Sequence, residues 1–325
     1  MIKLRLFIAL LFTVNIAPAQ FVPSSIDQII NADSLKRLVS ILSADSMKGR
    51  LTESPEALTA ARFISSEFNK AGLFQIEKST DSIGRFITVD GNVAGILPGD
   101  SLKNELVIFC AHFDHIGTLA SKSFSTPPTS SPGKGNDSIY NGANDNASGM
   151  SAVIALARFY AAQTTQNRSI MFVGFTGEEL GLIGSSRFAN FVNPEYIMVV
   201  FNLEMLGRGK RPFITGAEFS DFRDILNEKL FNYDPANYKK RFFKADDSGQ
   251  KLFFRSDNLP FARKRIPAHT IMATIPTDRY YHSLEDEYQT INYHSMARIV
   301  KAVAIAAETI INGSKTPSRL NRINE

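Results

Sequence analysis

The sequence predicts an α/β fold in which a mostly parallel sheet is covered by helices on both faces. Continuous apolar runs of β type alternate along the chain with segments of helical spacing, the pattern of such folds. The 325 residues are 44% apolar, enough for a large core, and no internal repeat or linker divides the chain. Aromatic residues at 10% and charged residues at 21% exclude disordered, collagen-like and coiled-coil proteins.

The charge balance and the cysteine content exclude two further classes of protein. Thirty-six Lys and Arg residues against 32 Asp and Glu residues give a formal net charge of +4. This charge is too small and too dispersed to indicate a nucleic-acid partner. The single cysteine, Cys110, can form no internal disulfide. It lies within an apolar run, so we interpret it as a small buried hydrophobic residue.

The N-terminus has the pattern of a secretory signal peptide. Lys3 and Arg5 precede an apolar run over 6–14, and Ala-Pro-Ala follows at 17–19. The run is too short to span a bilayer, although a buried N-terminal helix is an alternative interpretation. We therefore expect residues 1–19 to be removed, and the mature chain to be exported, periplasmic or secreted, and not held in a membrane.

The first half of the mature chain contains two predicted helices and a predicted buried strand. Helical spacing predicts helices over 33–42 and 55–71, the second ending at Gly72. The segment 86–97 is predicted to be extended. The uninterrupted apolar run 106–111 is typical of a central buried strand.

The second half continues the alternation. A stretch rich in Ser, Thr, Pro and Gly over 121–138 predicts a surface loop, which we expect at the rim of a substrate cleft. A helix is predicted over 148–162, followed by strands over 169–175 and 197–203. The tail after residue 311 is polar and is predicted to be frayed.

Acidic residues and histidines gather where the predicted strands end. In open α/β sheets, ligands bind beyond the carboxyl ends of the strands, so we expect these side chains to lie close together. The set comprises His112 and Asp114 after the first strand, Asp145 before a helix, Glu178 and Glu179 after the second strand, Glu204 after the third, and His282 downstream.

These residue types suit a zinc centre that performs hydrolysis. Imidazole and carboxylate groups bind zinc, and two ions about 3.5–4 Å apart need a bridging carboxylate. Asp145, in a Gly-flanked turn, has the short side chain for a bridge, and Asp114 could orient the imidazole of His112. The adjacent Glu178 and Glu179 could divide two tasks, one binding metal and the other accepting a proton from the attacking water.

Each of these elements alone has a simpler explanation. An His-x-Asp pair is often a surface or capping pair, a Glu-Glu pair often starts a helix, and Asn-Asp-Asn with glycines is often a turn. Only the ordered set favours a metal site. The remaining histidines, His115, His269 and His294, are interpreted as structural or solvent-facing residues.

The ordered motifs resemble those of a known enzyme family. AHFDHIG, NGANDNASG, GEELGLIGS, NLEMLGR and YYHSLED are similar to the motifs of exported zinc aminopeptidases, in the metallopeptidase clan that uses co-catalytic zinc ions. Glutamate carboxypeptidases and glutaminyl cyclases belong to the same clan. The resemblance covers about residues 33–308 and also includes RSDNLPFARKRIPA. It implies a mixed, mostly parallel eight-stranded sheet between helices, and a single catalytic domain over 20–325.

The resemblance also implies a role for each site residue. Two zinc ions are bridged by Asp145, with His112 and Glu204 completing one ion and Glu179 and His282 the other. The family pattern makes Glu178 the general base, Asp114 the support of His112, and Tyr281 a hydrogen-bond donor to the tetrahedral oxyanion. A cis peptide bond is implied between Asp145 and Asn146. The family usually has Asp where Glu204 stands, so we expect a more weakly held ion there.

Several functions remain open at this stage. The leading prediction is an aminopeptidase acting on peptides with a free N-terminus. A carboxypeptidase or dipeptidase would need an arginine to bind the substrate carboxylate, for which Arg208 and Arg279 are the candidates. A glutaminyl cyclase would use one zinc ion, but family cyclases line their pocket with tryptophan, and this chain has none. A metal-stabilised binding domain is disfavoured because such a site has no need of the base Glu178.

Overall fold

The computed structural model describes residues 23–75, 91–121, 137–163, 166–321 and 323. Within these residues, eight strands form one sheet. The strands are β1 Phe74–Gln75, β2 Val93–Leu97, β3 Leu102–His112, β4 Arg168–Phe175, β5 Ile197–Glu204, β6 Phe213–Ile214, β7 Lys244–Ala245 and β8 Ala268–Met272. Their order across the sheet is β1-β2-β4-β3-β5-β8-β6-β7.

The centre of the sheet is parallel and its flanks contain antiparallel pairs. β3 runs parallel to both β4 and β5, and β5 runs parallel to β8. β2 is antiparallel to β4, and β6 is antiparallel to β8. Every residue of β4 is buried, as expected for a central strand covered on both faces. The predicted mixed, mostly parallel eight-stranded α/β fold is therefore confirmed.

Eight α-helices cover this sheet in the described parts of the chain. They are α1 Pro23–Ile29, α2 Ala32–Leu42, α3 Pro55–Lys70, α4 Gly149–Ala161, α5 Ile183–Phe191, α6 Phe222–Tyr233, α7 Leu259–Ala262 and α8 Tyr293–Ile311. The predicted helices correspond to α2, α3 and α4. The start of α3 follows its sequence signals, because the Ser54 side chain accepts the Ala57 N–H group and Pro55 occupies the first turn.

The core contains stacked aromatic side chains from adjacent strands. Phe109 on β3 stacks on Phe201 of β5 and on Phe172 of β4, with ring centroids 4.6 and 5.7 Å apart. Its neighbour Cys110 points to the opposite face, as the alternation of a strand requires. Cys110 is fully buried, and this burial raises the pKa of its thiol well above the ordinary value. Its predicted role as a small hydrophobic residue is confirmed.

The C-terminal tail differs from its prediction. Arg168 donates to the carbonyl oxygen of Lys315 and to the hydroxyl of Thr316, at 2.9 and 2.6 Å. The Leu320 side chain is 0% exposed, and its N–H group donates to the Arg265 carbonyl. The predicted fraying is wrong over these residues, because buried side chains and backbone hydrogen bonds hold the tail on the domain.

Three predictions lie wholly or partly outside the described residues. These are the signal peptide over 1–19, the first part of the extended segment 86–97, and the interior of the loop 121–138. At the base of this loop, Leu119 donates its N–H group to the Ser138 carbonyl at 2.8 Å. No helix in the described part of the chain is both long and apolar enough to cross a membrane.

Candidate metal centre

The predicted site residues lie together at the carboxyl edge of the parallel strands. His112 and Glu204 are the last residues of β3 and β5, and Glu179 follows β4. Asp145 lies in the turn before α4, and His282 lies in the loop after β8. His112, Asp145, Glu179 and His282 are buried, and Glu204 is half-buried.

Asp145 lies between two groups of donor atoms. One carboxylate oxygen, Oδ1, is 3.4 Å from His112 Nε2, and the other, Oδ2, is 3.3 Å from His282 Nε2. Two ligands at about 2.0–2.1 Å from a tetrahedral ion are about 3.3–3.4 Å apart. The two oxygens are thus spaced to share one ion with each histidine.

A second set of contacts surrounds Glu179. Its Oε1 atom is 3.3 Å from His282 Nε2 and 2.9 Å from His115 Nδ1. Ligand atoms of His115, Asp145, Glu179 and His282 all lie within 4.8 Å of one another. His115, interpreted from the sequence as a structural or solvent-facing residue, is therefore buried within the candidate ligand group. Residue type and position gave no signal, because His115 reaches Glu179 only through the turn that follows β3.

The imidazole nitrogens support a metal ion in this position. His112 Nε2, His115 Nε2 and both ring nitrogens of His282 are buried without a hydrogen-bond partner. Buried polar atoms are nearly always satisfied. His112 and His282 lie close to Asp145 without hydrogen-bond alignment, which is the arrangement of side chains that converge on a common ion. The donor set fits zinc, which takes imidazole and carboxylate ligands.

Without an ion, the charges of these side chains depend on one another. Burial opposes ionisation of Asp145, but His112 and His282 hold the pKa of its carboxyl well below the ordinary value. Burial likewise opposes ionisation of Glu179, yet His282 lowers the pKa of this carboxyl to about 2. Burial would lower the pKa of His282, but Glu179 and Asp145 raise it to about 10. A cation at this place would take over the role of the histidine protons.

Glu204 has a hydrogen-bond partner outside the candidate metal ligands. Its carboxylate accepts a hydrogen bond from the Ser256 hydroxyl. Burial raises the pKa of Glu204 to about 7, against the attraction of His112. The side chain is thus shared between a hydroxyl and the candidate centre.

Asp257 is a buried acid that the sequence interpretation did not single out. Both of its carboxylate oxygens lie buried without a close hydrogen bond, and burial raises its pKa to about 6. The charge of Asp257 raises the pKa of Glu178, and the charge of His112 opposes the rise in the pKa of Asp257. A signal was present, since Asp257 is the only acid of the RSDNLPF segment that resembled the zinc aminopeptidases.

Asp114 supports the site differently from the prediction. The atom nearest to His112 Nδ1 is the backbone oxygen of Asp114, at 3.2 Å, while its carboxylate Oδ1 is 3.8 Å away. The carboxylate instead accepts the Thr52 hydroxyl at 2.7 Å and the Glu178 N–H group at 3.3 Å. Asp114 therefore fixes the backbone that carries Glu178, and its main chain orients His112.

The turn that carries Asp145 is tightly held. The peptide bond between Asp145 and Asn146 is cis, as predicted. Gly142 adopts φ 58°, and a Cβ atom there would lie 2.4 Å from the Asp145 carbonyl oxygen, so only glycine fits. The Asn146 side chain donates to the Leu203 carbonyl at 3.1 Å, which joins the turn to β5.

Tyr281 and the two candidate arginines each have defined contacts. The Tyr281 ring stacks on His282 with centroids 4.0 Å apart, and burial with nearby carboxylates raises the pKa of its hydroxyl far above the ordinary value. Arg208 donates to Asp278 and Asp286. Arg279 is exposed and donates to the Tyr280 hydroxyl. Arg208 is therefore paired with acids of the chain itself, and Arg279 lies exposed.

Comparison with known proteins gives the family. The family model that matches is that of peptidase family M28, over residues 92–307, about two thirds of the chain. The chain belongs to peptidase family M28. The family resemblance and the peptidase class predicted from the motifs are therefore confirmed, and the matched range contains every residue of the candidate centre.

The M28 chain is also similar to individual proteins. It is 23% identical over 239 residues to aminopeptidase YwaD of Bacillus subtilis (strain 168), which covers 71% of this chain and 47% of that protein. The alignment thus spans about half the length of that relative.

Solved structures show the same fold at low identity. An aminopeptidase from Aneurinibacillus sp. strain AM-1 has a TM-score of 0.65 at 15% identity, covering 94% of this chain and 98% of the other. A zinc aminopeptidase from Bacillus subtilis has a TM-score of 0.66 at 15% identity, with coverage of 88% and 96%. Porphyromonas gingivalis glutaminyl cyclase has a TM-score of 0.63 at 15% identity, with coverage of 87% and 99%.

Proposed function

We propose that this M28 peptidase is a zinc-dependent aminopeptidase that hydrolyses the N-terminal peptide bond of peptides. One observation carries the proposal. The two oxygens of Asp145 face different histidines, His112 at 3.4 Å and His282 at 3.3 Å. A carboxylate placed in this way can join two metal sites.

The residues divide into two ligand sets around Asp145. His112 and Glu204 would hold one ion, and Glu179 and His282 the other, with His115 within reach of the second set. Zinc bound here would supply a Lewis acid for the scissile carbonyl and a more acidic water.

Glu178 is placed to act as the general base. Its side chain is partly exposed to solvent, whereas its backbone is fixed by the hydrogen bond to Asp114. Burial raises the pKa of the Glu178 carboxyl well above its ordinary value, against the attraction of His112. In the proposed reaction Glu178 accepts the proton of the attacking water and delivers it to the departing amine.

Tyr281 and the acidic groups complete the proposed site. The raised pKa of Tyr281 keeps its hydroxyl protonated, so it can donate a hydrogen bond to the developing oxyanion. Glu178 belongs to neither ligand set, so its carboxylate remains available to the free ammonium group of a peptide N-terminus.

The contacts of the two arginines weigh against a carboxypeptidase or dipeptidase. Arg208 is committed to Asp278 and Asp286, and it lies 4.4 Å from the centroid of the Tyr280 ring. Binding a substrate carboxylate would require this buried pairing to break, which costs several kcal/mol, roughly 3–5 by analogy with other buried pairs.

A glutaminyl cyclase is the second candidate. The group His115, Asp145, Glu179 and His282 forms a compact set of four ligands, which would suffice for one zinc ion. The chain has no tryptophan for a cyclase pocket. We retain the aminopeptidase as the main proposal because His112 contacts the other oxygen of Asp145, and Glu204, at the end of β5, is close enough to His112 for their charges to interact.

We also propose that the protein acts after export, in the periplasm or outside the cell, without a nucleic-acid partner. The support is the signal-peptide pattern over 1–19 and the small net charge of +4. Its substrates would then be peptides with a free N-terminus in that compartment.

Metal analysis combined with a substrate panel tests the proposed activity. Purified protein loaded with zinc should release chromophores from free aminoacyl derivatives and lose activity toward the same derivatives after N-acetylation. Cyclisation of N-terminal glutamine without peptide-bond hydrolysis would instead establish the cyclase. Activity on N-blocked peptides with release of the C-terminal residue would establish a carboxypeptidase.

A further inference from the structure

A cationic cavity of about 880 Å³ lies between helix α6 and the edge strands β6 and β7. It is separate from the ligand sets around Asp145, and none of its lining residues belongs to them. Five basic side chains line it: Arg211, Arg223, Lys240, Arg241 and Lys244.

The cavity keeps an excess of positive charge. Among the described residues only two acids line it, Asp224 and Asp247, and Asp224 is paired with Arg223 at 2.9 Å. Arg211, Arg241 and Lys244 form no ion pair with any residue that the structure describes. These three cations are exposed and therefore available to an anionic ligand.

The open edge of the sheet runs along the cavity. β7 is the last strand in the sheet order, so one of its edges has no partner strand among the residues that the structure describes. Lys244 donates its N–H group to the Pro212 carbonyl, and Asp246 donates to the Ile214 carbonyl, both toward β6. Since backbone groups alternate along a strand, the N–H group of Ala245 between them points to the open side. An extended peptide can pair with such an edge.

The wall of the cavity is fixed and contains apolar surface. The Asn227 side chain accepts the Phe243 N–H group and donates to the Phe243 carbonyl, both at 2.9 Å. The half-buried Phe213 lines the cavity and also packs on the buried cluster of Met205, Leu252 and Met272.

Phe213 lines the cavity and also lies next to the strand that precedes the loop of His282. It is paired with Met272, the last residue of β8, and His282 lies in the loop after that strand. Phe213 therefore lies beside the end of the strand that leads into the loop carrying His282.

We propose that this cavity binds an acidic segment of a peptide in extended conformation. The peptide main chain pairs with β7, and its carboxylates lie against Arg211, Arg241 and Lys244. As a binding site for acidic peptide substrates outside the metal centre, this inference rests on the proposed peptidase function. A small phosphate ion would use the cations but neither the open strand edge nor the apolar wall.

Binding of a peptide that cannot be cleaved tests the site directly. The probe is a fluorescent, N-acetylated peptide of alternating Glu and Ala, measured by anisotropy with the zinc-loaded protein. The variant R211Q/R241Q/K244Q should weaken its binding about tenfold, since each exposed ion pair contributes a few-fold at most. The control K36Q/R62Q/K103Q removes three equally exposed cations elsewhere and should bind like the wild type.

The outcomes separate this inference from the proposed function. Equal weakening in both variants would mean general charge attraction and would overturn the site. Displacement of the probe by tripolyphosphate as readily as by unlabelled peptide, or equal affinity for a backbone N-methylated probe, would overturn the extended-peptide mode. For turnover, the triple variant should raise KM for acidic peptides and leave hydrolysis of an aminoacyl chromophore unchanged. Absence of all peptidase activity would reject the proposed function, while the anisotropy result would still decide the cavity.

Discussion

Arg208 and Asp286 form a buried ion pair that supports the turn carrying Asp145. Asp286 is fully buried, and its carboxylate also accepts the N–H groups of Asn144 and Asp145 at 2.9 and 3.1 Å. Burial raises the pKa of Asp286, and the charge of Arg208 opposes this rise. The pair thus connects the loop after β5 to the loop after β8 and holds the proposed bridging ligand between them.

Replacement of Asp286 should damage both stability and metal binding. Asp286→Ala leaves the Arg208 charge and two N–H groups buried without their partner, at a cost of about 3–5 kcal/mol. Urea unfolding and zinc content check this expectation. The exposed neighbour Glu285 provides the control, and Glu285→Ala should leave both quantities unchanged. An Asp286→Ala protein with wild-type stability and zinc content would show that the pair does not support the turn.

Arg50 is a second buried anchor of the same turn. Its guanidinium donates to four carbonyl oxygens, those of Leu42, Phe113, Asn141 and Gly142. Burial lowers its pKa to about 10, so it remains charged at neutral pH. Arg50→Met leaves these carbonyl oxygens without their hydrogen-bond donor. Each carbonyl that water does not reach costs on the order of 1–3 kcal/mol, so the free energy of unfolding should fall by several kcal/mol.

The control for Arg50 is an exposed arginine on α3. Arg62→Met removes the same charge from a solvent-facing position and should change the free energy of unfolding by less than about 0.5 kcal/mol. Equal denaturation midpoints for the two variants would contradict the anchoring role of Arg50.

Glu178→Gln should separate catalysis from metal binding. The amide cannot accept the proton of the attacking water, so kcat should fall about 10²–10⁴-fold. Zinc content should remain that of the wild type, because Glu178 is not a proposed ligand. Glu218→Gln, at an exposed acid, is the matched control. Near wild-type kcat in Glu178→Gln would remove this residue from the role of base.

Removal and titration of zinc should reveal two unequal sites. Chelation is expected to abolish activity, and zinc to restore it with two ions per chain at saturation. The ion at His112 and Glu204 should be the weaker one, because the Glu204 carboxylate is shared with the Ser256 hydroxyl. Isothermal titration and metal analysis should show that Glu204→Gln loses this ion and His282→Gln loses the other. A single ion at every zinc concentration would favour the cyclase.

His269 should make stability pH-dependent in the acid range. Burial lowers the pKa of His269 to about 4, below its ordinary value of 6.5, against a hydrogen bond with the Thr215 carbonyl. Between these two values the unfolded chain binds a proton that the folded chain does not, so stability falls as pH falls. The loss between pH 7 and pH 5 is about 2 kcal/mol.

Unfolding experiments at the two pH values measure this effect. The free energy of unfolding of the wild type should fall between pH 7 and pH 5, and His269 contributes about 2 kcal/mol of this fall. His269→Gln should lack that contribution, although it is less stable at both pH values. The exposed variant His294→Gln should keep it. The same pH dependence in wild type and His269→Gln would assign the effect to other groups.

The periodicity and order of the sequence determined the fold and most of the candidate centre. Strand runs such as 106–111 and 169–175 are continuous because central parallel strands are buried on both faces. Side chains placed directly after such strands, among them His112 and Glu179, must meet at one edge of the sheet. These predictions succeed because they depend only on local spacing and on the parallel topology.

The tertiary structure alone decided the contacts between distant parts of the chain. His115 joins the ligand group through a turn, Asp286 meets the Asp145 turn across 141 residues of sequence, and the tail is held by Arg168. The Asp114 carboxylate also turned away from His112 toward Thr52 and Glu178. Such contacts depend on how loops pack after the sheet has formed, and a loop side chain carries no periodic signal of its partner. The sequence therefore determines which groups reach the site, and packing determines which of them face one another.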